Sequence, residues 1–262
     1  MKNIILDLYY TIYTFISLRL YHYKSKRTKF DFDIHNNNKL KNIEFNCIRG
    51  IFEDRYWSNK EHQYYKPNNI IYHNNQYRIF TEQINDDNFL KTHKDFYSGC
   101  LSTNNLLHFT GKKGCILVEV ELQCNKSDFP AIWLVLKNPK FDGEVAEIDI
   151  MEWGDLYPNH LLMTHHWGTD GYRGKTKRQN AVRLDYKEKP KKFRCILEWN
   201  KKTINWYIDY ILVKKSRNIF VNNEFYMMIN LAIGGMSSLP DDSYESEMYV
   251  NAIQCCGGIK QI

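Results

Sequence analysis

The residues that could do chemistry lie in one short segment, GEVAEIDIMEWG, residues 143–154. Three of its carboxylates, Glu147, Asp149 and Glu152, sit on one apparent strand with apolar residues between them. In a regular strand, side chains two apart share a face. Glu147 and Asp149 therefore point the same way, and Glu152, five positions after Glu147, points the other way. One β-bulge between Asp149 and Glu152 returns it to the shared face, and bulges occur beside active sites because they re-aim a side chain. Carboxylates within a few ångströms of one another repel, which raises at least one pKa. That cost makes sense where one carboxyl must donate a proton while another stays ionised as a nucleophile near neutral pH. Retaining glycoside cleavage uses such a pair at about 5–5.5 Å. Taken alone, the segment equally fits an edge strand with a row of charge facing water.

The elements around this segment read as strands. Val118, Val120 and Leu122 alternate with Glu119 and Glu121, and Ile204, Trp206 and Ile208 alternate with Asn205, Tyr207 and Asp209. Such period-two patterns mark half-buried strands. Residues 131–136 and 226–233 are nearly continuous apolar runs, expected for strands covered on both faces. Asn pairs punctuate the chain; Asn74-Asn75, between IIYH and QYRIF, predicts a hairpin. Beyond the first 30 residues no amphipathic helix is evident. Many short, turn-separated strands imply a sandwich or barrel.

The size of the chain, 262 residues, fits a single all-β domain, and no linker divides it after about residue 30. The predicted organisation is an amino-terminal extension, 1–30, and one domain, 31–262. Residues 8–18 form an uncharged apolar run, too short to span a bilayer. The run has the length of a signal-peptide core but lacks a small-residue cleavage site, so a degenerate signal or anchor competes with a structural extension. Contact with a membrane is expected only if this segment is an anchor. A net charge of +6 is too mild to imply nucleic-acid binding. The stretch 173–202 is different, with 12 basic and 3 acidic residues. It is either a solvated face or an attractor for an anionic polymer. The seven cysteines show no zinc-type spacing and read as buried free thiols.

The carboxylate segment resembles the signature of glycoside hydrolase family 16, in the E-x-D-x-x-E form of its laminarinase, agarase and carrageenase branches. Further stretches match in order. Residues 129–134, FPAIWL, are similar to the family's WPAFWL, and 164–168, THHWG, to its TLHWG. Residues 193–199 and 204–209 resemble its YAIEW and WYVDG hairpin, and 225–235 its LNLAIGG strand. Upstream, NKEHQYY at 59–65 is similar to NNELQYY, and 97–99 to TSG. The resemblance spans about residues 43–256.

It implies a β-jelly roll of two curved antiparallel sheets, concanavalin A-like, with an open substrate cleft. By the same resemblance Glu147 is the nucleophile, Glu152 the general acid/base, and Asp149 the residue that hydrogen-bonds the nucleophile. The implied course is double displacement with retained configuration. No metal or cofactor is required. Trp133 and Trp167 are candidates for stacking on sugar rings, with core packing as the alternative for each. His166, rather than His165, is expected to face the cleft. Asn59 and Glu61 are candidates for binding sugar hydroxyls, with loop capping as the alternative, and Trp153 is expected in the core.

Several positions depart from the family pattern. Phe129 stands for Trp, and Cys100 for the Arg that many laminarinases carry. Residues 236–240, MSSLP, replace the usual Gly-Asn-Trp-Pro. Asn251 stands where many members have an Asp associated with structural calcium, which weakens the case for that ion. The expected function is a monomeric retaining endo-glycosidase, secreted or on the cell surface by family analogy, acting on a polysaccharide such as β-1,3-glucan. Alternatives are a galactanase acting on an anionic galactan, or a non-catalytic carbohydrate-binding sandwich.

Overall fold

Turn chemistry and alternation set the strands. Asn74 and Asn75 both take left-handed backbone (φ 49° and 61°), as do Asp209 and Tyr210 (φ 46° and 66°). Positive φ at both central residues is the geometry of a two-residue hairpin whose twist matches that of its strands. The computed structural model describes residues 46–47, 61–84, 95–104, 106–154, 160–170, 178–185, 192–238, 244–257 and 259–261, with 46–47, 178–185, 256 and 259–261 as backbone only. All of them fall within the unit Lys39–Ile262. The extension at 1–30 lies outside the described residues, as does Asn59.

In chain order the strands are β1 (Asn46–Cys47), β2 (Gln63–Tyr65), β3 (Ile70–His73), β4 (Gln76–Phe80), β5 (Glu82–Gln83), β6 (Phe96–Ser98), β7 (Cys100–Ser102), β8 (Leu107–Thr110), β9 (Gly114–Gln123) and β10 (Asp128–Leu136). They continue with β11 (Val145–Glu152), β12 (His160–Gly168), β13 (Arg178–Asp185), β14 (Lys192–Trp199), β15 (Thr203–Ile208), β16 (Ile211–Arg217), β17 (Glu224–Ile233), β18 (Glu247–Cys256) and β19 (Ile259–Gln261). The helical content among the described residues is one 3₁₀ turn, Pro67–Asn69. Among those residues, none forms a helix long and apolar enough to cross a membrane.

Two large antiparallel sheets result. The first runs β1-β7-β17-β10-β11-β12-β13, with β8 and β19 joined to it through β17. The second runs β16-β15-β14-β9-β18-β4-β3. The core between them takes Ile132, Leu134, Ile148 and Ile150 from the first sheet and Val118, Val120, Leu197, Ile204 and Trp206 from the second. The continuous apolar runs of β10 and β17 are explained by a second, smaller cluster on the far face of the first sheet. Tyr65, Cys100, Val135 and Met228 form it, with Trp133 and Tyr226 packed against them. Cys100, Cys115, Cys195 and Cys255 are buried free thiols, and Cys124 is a half-buried one.

The core between the sheets also holds two basic side chains. His165 is stacked between Trp167 (centroids 5.0 Å apart) and Trp206 (5.8 Å). The Lys214 ammonium lies 4.3 Å from the centre of the Trp206 ring. Burial is the main cause that lowers the His165 imidazole to a pKa of about 3, with the charges of Lys214 and His166 adding to it. Burial likewise lowers Lys214 to about 7, against an opposing pull from Asp149. For a base whose folded pKa is depressed, the unfolded chain binds more protons between the two values, and stability rises with pH across that window. His165 thus costs stability progressively as pH falls from about 6.5 toward 3, and Lys214 does so as pH falls from about 10.5 toward 7. Thermal midpoints followed from pH 4 to 10 are expected to fall more gently on the acid side in His165→Leu than in wild type. A variant slope equal to that of wild type below pH 6.5 would contradict this assignment.

Candidate active site

Strand β11 is pinned on both sides, and its pairing reveals how the carboxylates align. Along β10, Val135 faces Glu147, Trp133 faces Asp149 and Ala131 faces Glu152. Those β10 residues are two apart and share a face, so all three carboxylates share it too. The register is kept only because it shifts by one between Ile132 and Trp133, which leaves Ile150 as the extra residue of a bulge. This is the bulge that the spacing predicted between Asp149 and Glu152. Ile150 itself turns into the core.

His166 of β12 sits opposite Glu147. Its Nε2 is 3.1 Å from Asp149 Oδ2 and 3.6 Å from Glu147 Oε1. Glu147 and Asp149 are buried, Asp149 to 2% exposure, while Glu152 at the end of the strand is half-buried. Burial along the row is therefore deepest at the central Asp149 and least at Glu152. Glu147, Asp149 and His166 each present one ligand atom, all within 4.8 Å of one another, and could hold a metal ion.

The two tryptophans part ways. Trp133 lies on the carboxylate face, partly exposed, and its indole N–H donates to Asn230 Oδ1 at 2.7 Å. Trp167 does not join the site. It follows His166 directly, so alternation turns it to the opposite face, where it stacks on His165 and packs against the core. The expectation of a sugar-stacking ring at Trp167 is thereby corrected. The same alternation buries His165 and leaves His166 as the histidine beside the carboxylates. Trp153 is buried in the core.

Glu61 is tied to Trp133 through residues that the sequence did not single out. Gln63 donates to Glu61 Oε2 (2.6 Å) and to the Tyr65 hydroxyl (2.9 Å), and Asn230 donates to that hydroxyl at 3.0 Å. Burial, with the nearby Glu61 charge, holds the Tyr65 phenol well above its ordinary pKa. The chain Glu61–Gln63–Tyr65–Asn230–Trp133 orients the indole from behind. One signal for it was present in the sequence: Asn230 is the lone amide in the apolar run of β17. Beyond Glu152, the loop that follows β17 closes on Gly154, where a side-chain carbon would lie 2.7 Å from the Met236 carbonyl oxygen. Asn251 accepts a hydrogen bond from Gln76.

Comparisons with known proteins bear on the family and the fold. A curated relative, the endo-1,3-1,4-beta-glycanase EglC of Rhizobium meliloti (strain 1021), is 27% identical over 149 residues, 56% of this chain and 30% of that protein. A second from the same strain, ExsH, is 25% identical over 163 residues. The chain thus spans about a third of the length of the curated relatives it matches. The laminarinase catalytic domain of Thermotoga maritima MSB8 superposes with a TM-score of 0.65 at 22% identity, covering 87% of this chain and 95% of that one. The endo-beta-1,3-glucanase of Pyrococcus furiosus does so at 0.66 and 22%, covering 83% and 88%. These structural likenesses establish the fold, a jelly roll of two packed antiparallel sheets. Residues 58–238 match the sequence profile of the glycosyl hydrolases family 16 over more than half of the chain, and the chain belongs to that family.

Proposed function

We propose that the protein is a retaining endo-glycosidase acting on a β-1,3-linked glucan. The observation that carries this is the bulge at Ile150, which sets Glu147, Asp149 and Glu152 on one face of a buried strand. In this reading Glu147 attacks the anomeric carbon while Glu152 protonates the departing glycosidic oxygen. A water activated by Glu152 then displaces Glu147 and releases the sugar with its configuration retained. Burial of Glu147 and Asp149 beside His166 supports a division of labour. The two closely spaced acids are held in a fixed arrangement, and the more exposed Glu152 exchanges protons with water and leaving group. Trp133, held by Asn230, offers an indole surface next to Asp149 for a sugar ring, and Glu61 lies at the far end of its hydrogen-bond chain. The reading calls for no cofactor. The name of the Pyrococcus furiosus neighbour, an endo-beta-1,3-glucanase, supports a β-glucan as the polymer.

A second reading, an anionic galactan as substrate, is favoured by one observation. The basic stretch supplies β13, whose residue Gln179 pairs with His166, so a cation-rich segment borders the candidate site. Attraction of this kind weakens with salt.

Reducing-end release from laminarin, lichenan, agarose and carrageenan tests both. Activity on laminarin is expected, falling about 10²- to 10⁴-fold in Glu152→Ala, the range that general acid–base catalysis supplies. Preference for carrageenan with strong loss of rate in high salt would move the substrate to the second reading. Folded protein inactive on the whole panel, yet able to bind one of these glycans, would replace the enzyme by a binding module. Trp133→Ala is expected to raise KM for the polymer about 3- to 10-fold with a smaller change in kcat, because a stacking ring contributes mainly uniform binding. An unchanged KM would remove Trp133 from the sugar contacts.

A further inference from the structure

The bulge that aligns the carboxylates opens a gap in the sheet. Strand β11 pairs with β12 at Ile148–His165 and next at Glu152–Leu162, so residues 149–151 have no registered partners across from Met163 and Thr164. A strand carbonyl outside the ladder and away from water needs another donor, or it costs about 1–3 kcal/mol. Two side chains of the second sheet supply donors there. The Trp206 indole N–H donates to Asp149 O at 2.8 Å, and the Lys214 ammonium donates to Met163 O at 3.0 Å. One acceptor lies at the bulge of β11 and the other on the facing stretch of β12.

Lys214 reaches this position through a second bulge. Trp206 pairs with Lys214, but the next residue, Tyr207, pairs with Leu212, so Val213 is the extra residue in β16. Uninterrupted alternation from Leu212 would send Lys214 outward with it. The shift instead places Lys214 on the face of its partner Trp206, inside the core, at 5% exposure. Burying an ammonium is expensive unless it is hydrogen-bonded. Here its hydrogen bond is spent on the gap beside the catalytic strand. The resemblance places leucine where this chain has His165, whereas Trp206 falls on the tryptophan of the family's WYVDG hairpin.

We propose that Lys214 and Trp206 are positioning residues that clamp the β11 bulge from behind and so keep Glu152 on the face of Glu147 and Asp149. The clamp rests on the assignment of Glu147 and Glu152 as the catalytic pair, and its test has one readout that does not need hydrolysis. The variants are Trp206→Phe, which keeps an aromatic ring and deletes the donor, and Lys214→Met, which keeps the chain length and deletes the ammonium.

Amide hydrogen exchange is expected to quicken about tenfold or more in peptides covering residues 147–153 and 161–165 of both variants. Peptides from β10 and β17 should be unchanged. On a polymer that wild type cleaves, kcat should fall about tenfold or more while KM stays within about twofold. If wild type cleaves no polymer, the proposed function fails and the local exchange still decides the clamp. Should Lys214→Met not fold, Trp206→Phe decides alone. Exchange that stays at wild-type rates around the bulge, or that quickens equally in every strand, overturns the proposal. So does a Lys214→Met protein that self-associates with β11 exchange unchanged, which would make the lysine a guard of the β16 edge instead.

Discussion

Everything at the candidate site depends on one extra residue in one strand. Without Ile150 as a bulge, Glu152 would point into the core between the sheets, where an unpaired carboxylate is prohibitively expensive. With it, Glu147, Asp149 and Glu152 form a single row opposite Val135, Trp133 and Ala131. The same extra residue breaks the β11–β12 ladder, and the molecule must then satisfy backbone groups that a regular sheet would satisfy by itself. The polar content of the core beneath, a tryptophan N–H and a lysine ammonium aimed at carbonyls, follows from that local demand. Alignment on one face and polar chemistry on the other are two sides of one irregularity.

Near the site the first sheet packs apolar side chains on both of its faces. One face closes the core with the second sheet, and the other carries Tyr65, Cys100, Val135 and Met228 around Trp133. A dry floor beside the carboxylates strengthens electrostatic interactions there, because fewer waters screen them. It also explains why the polar groups that do enter this floor are joined in a chain. Gln63, Tyr65 and Asn230 are buried, and an unsatisfied amide or hydroxyl at such a place would be costly. Their mutual hydrogen bonds satisfy them and fix the tryptophan edge at the same time.

Much of this was legible in the sequence, because the signals were periodic and local. Alternation in β9 and β15, the Asn74-Asn75 turn and the apolar runs of β10 and β17 led to a sandwich or barrel, and the family resemblance narrowed this to two packed sheets. The spacing of Glu147, Asp149 and Glu152 required a bulge, and the strand has one. The resemblance, not alternation, separated His166 from His165, and it offered Trp167 with both sugar stacking and core packing open; alternation along β12 turns Trp167 to the face opposite His166. What remained hidden depends on contacts between distant segments. Tyr65 meets Asn230 across 165 residues. Lys214 is turned inward by a bulge at Val213 that nothing in ILVKKSR announces. Its burial is compensated by a carbonyl on another strand, which no local pattern can show.

The free thiols of the fold carry a practical consequence. Cys100 lies in the first sheet, and Cys115, Cys195 and Cys255 lie in three adjoining strands of the second. All four are buried within the packed layers. Each thiol is shielded until its own strand separates from its neighbours. The molecule thus carries reporters in both layers, and the order in which alkylating agents reach them would record which layer parts first as the sandwich comes apart.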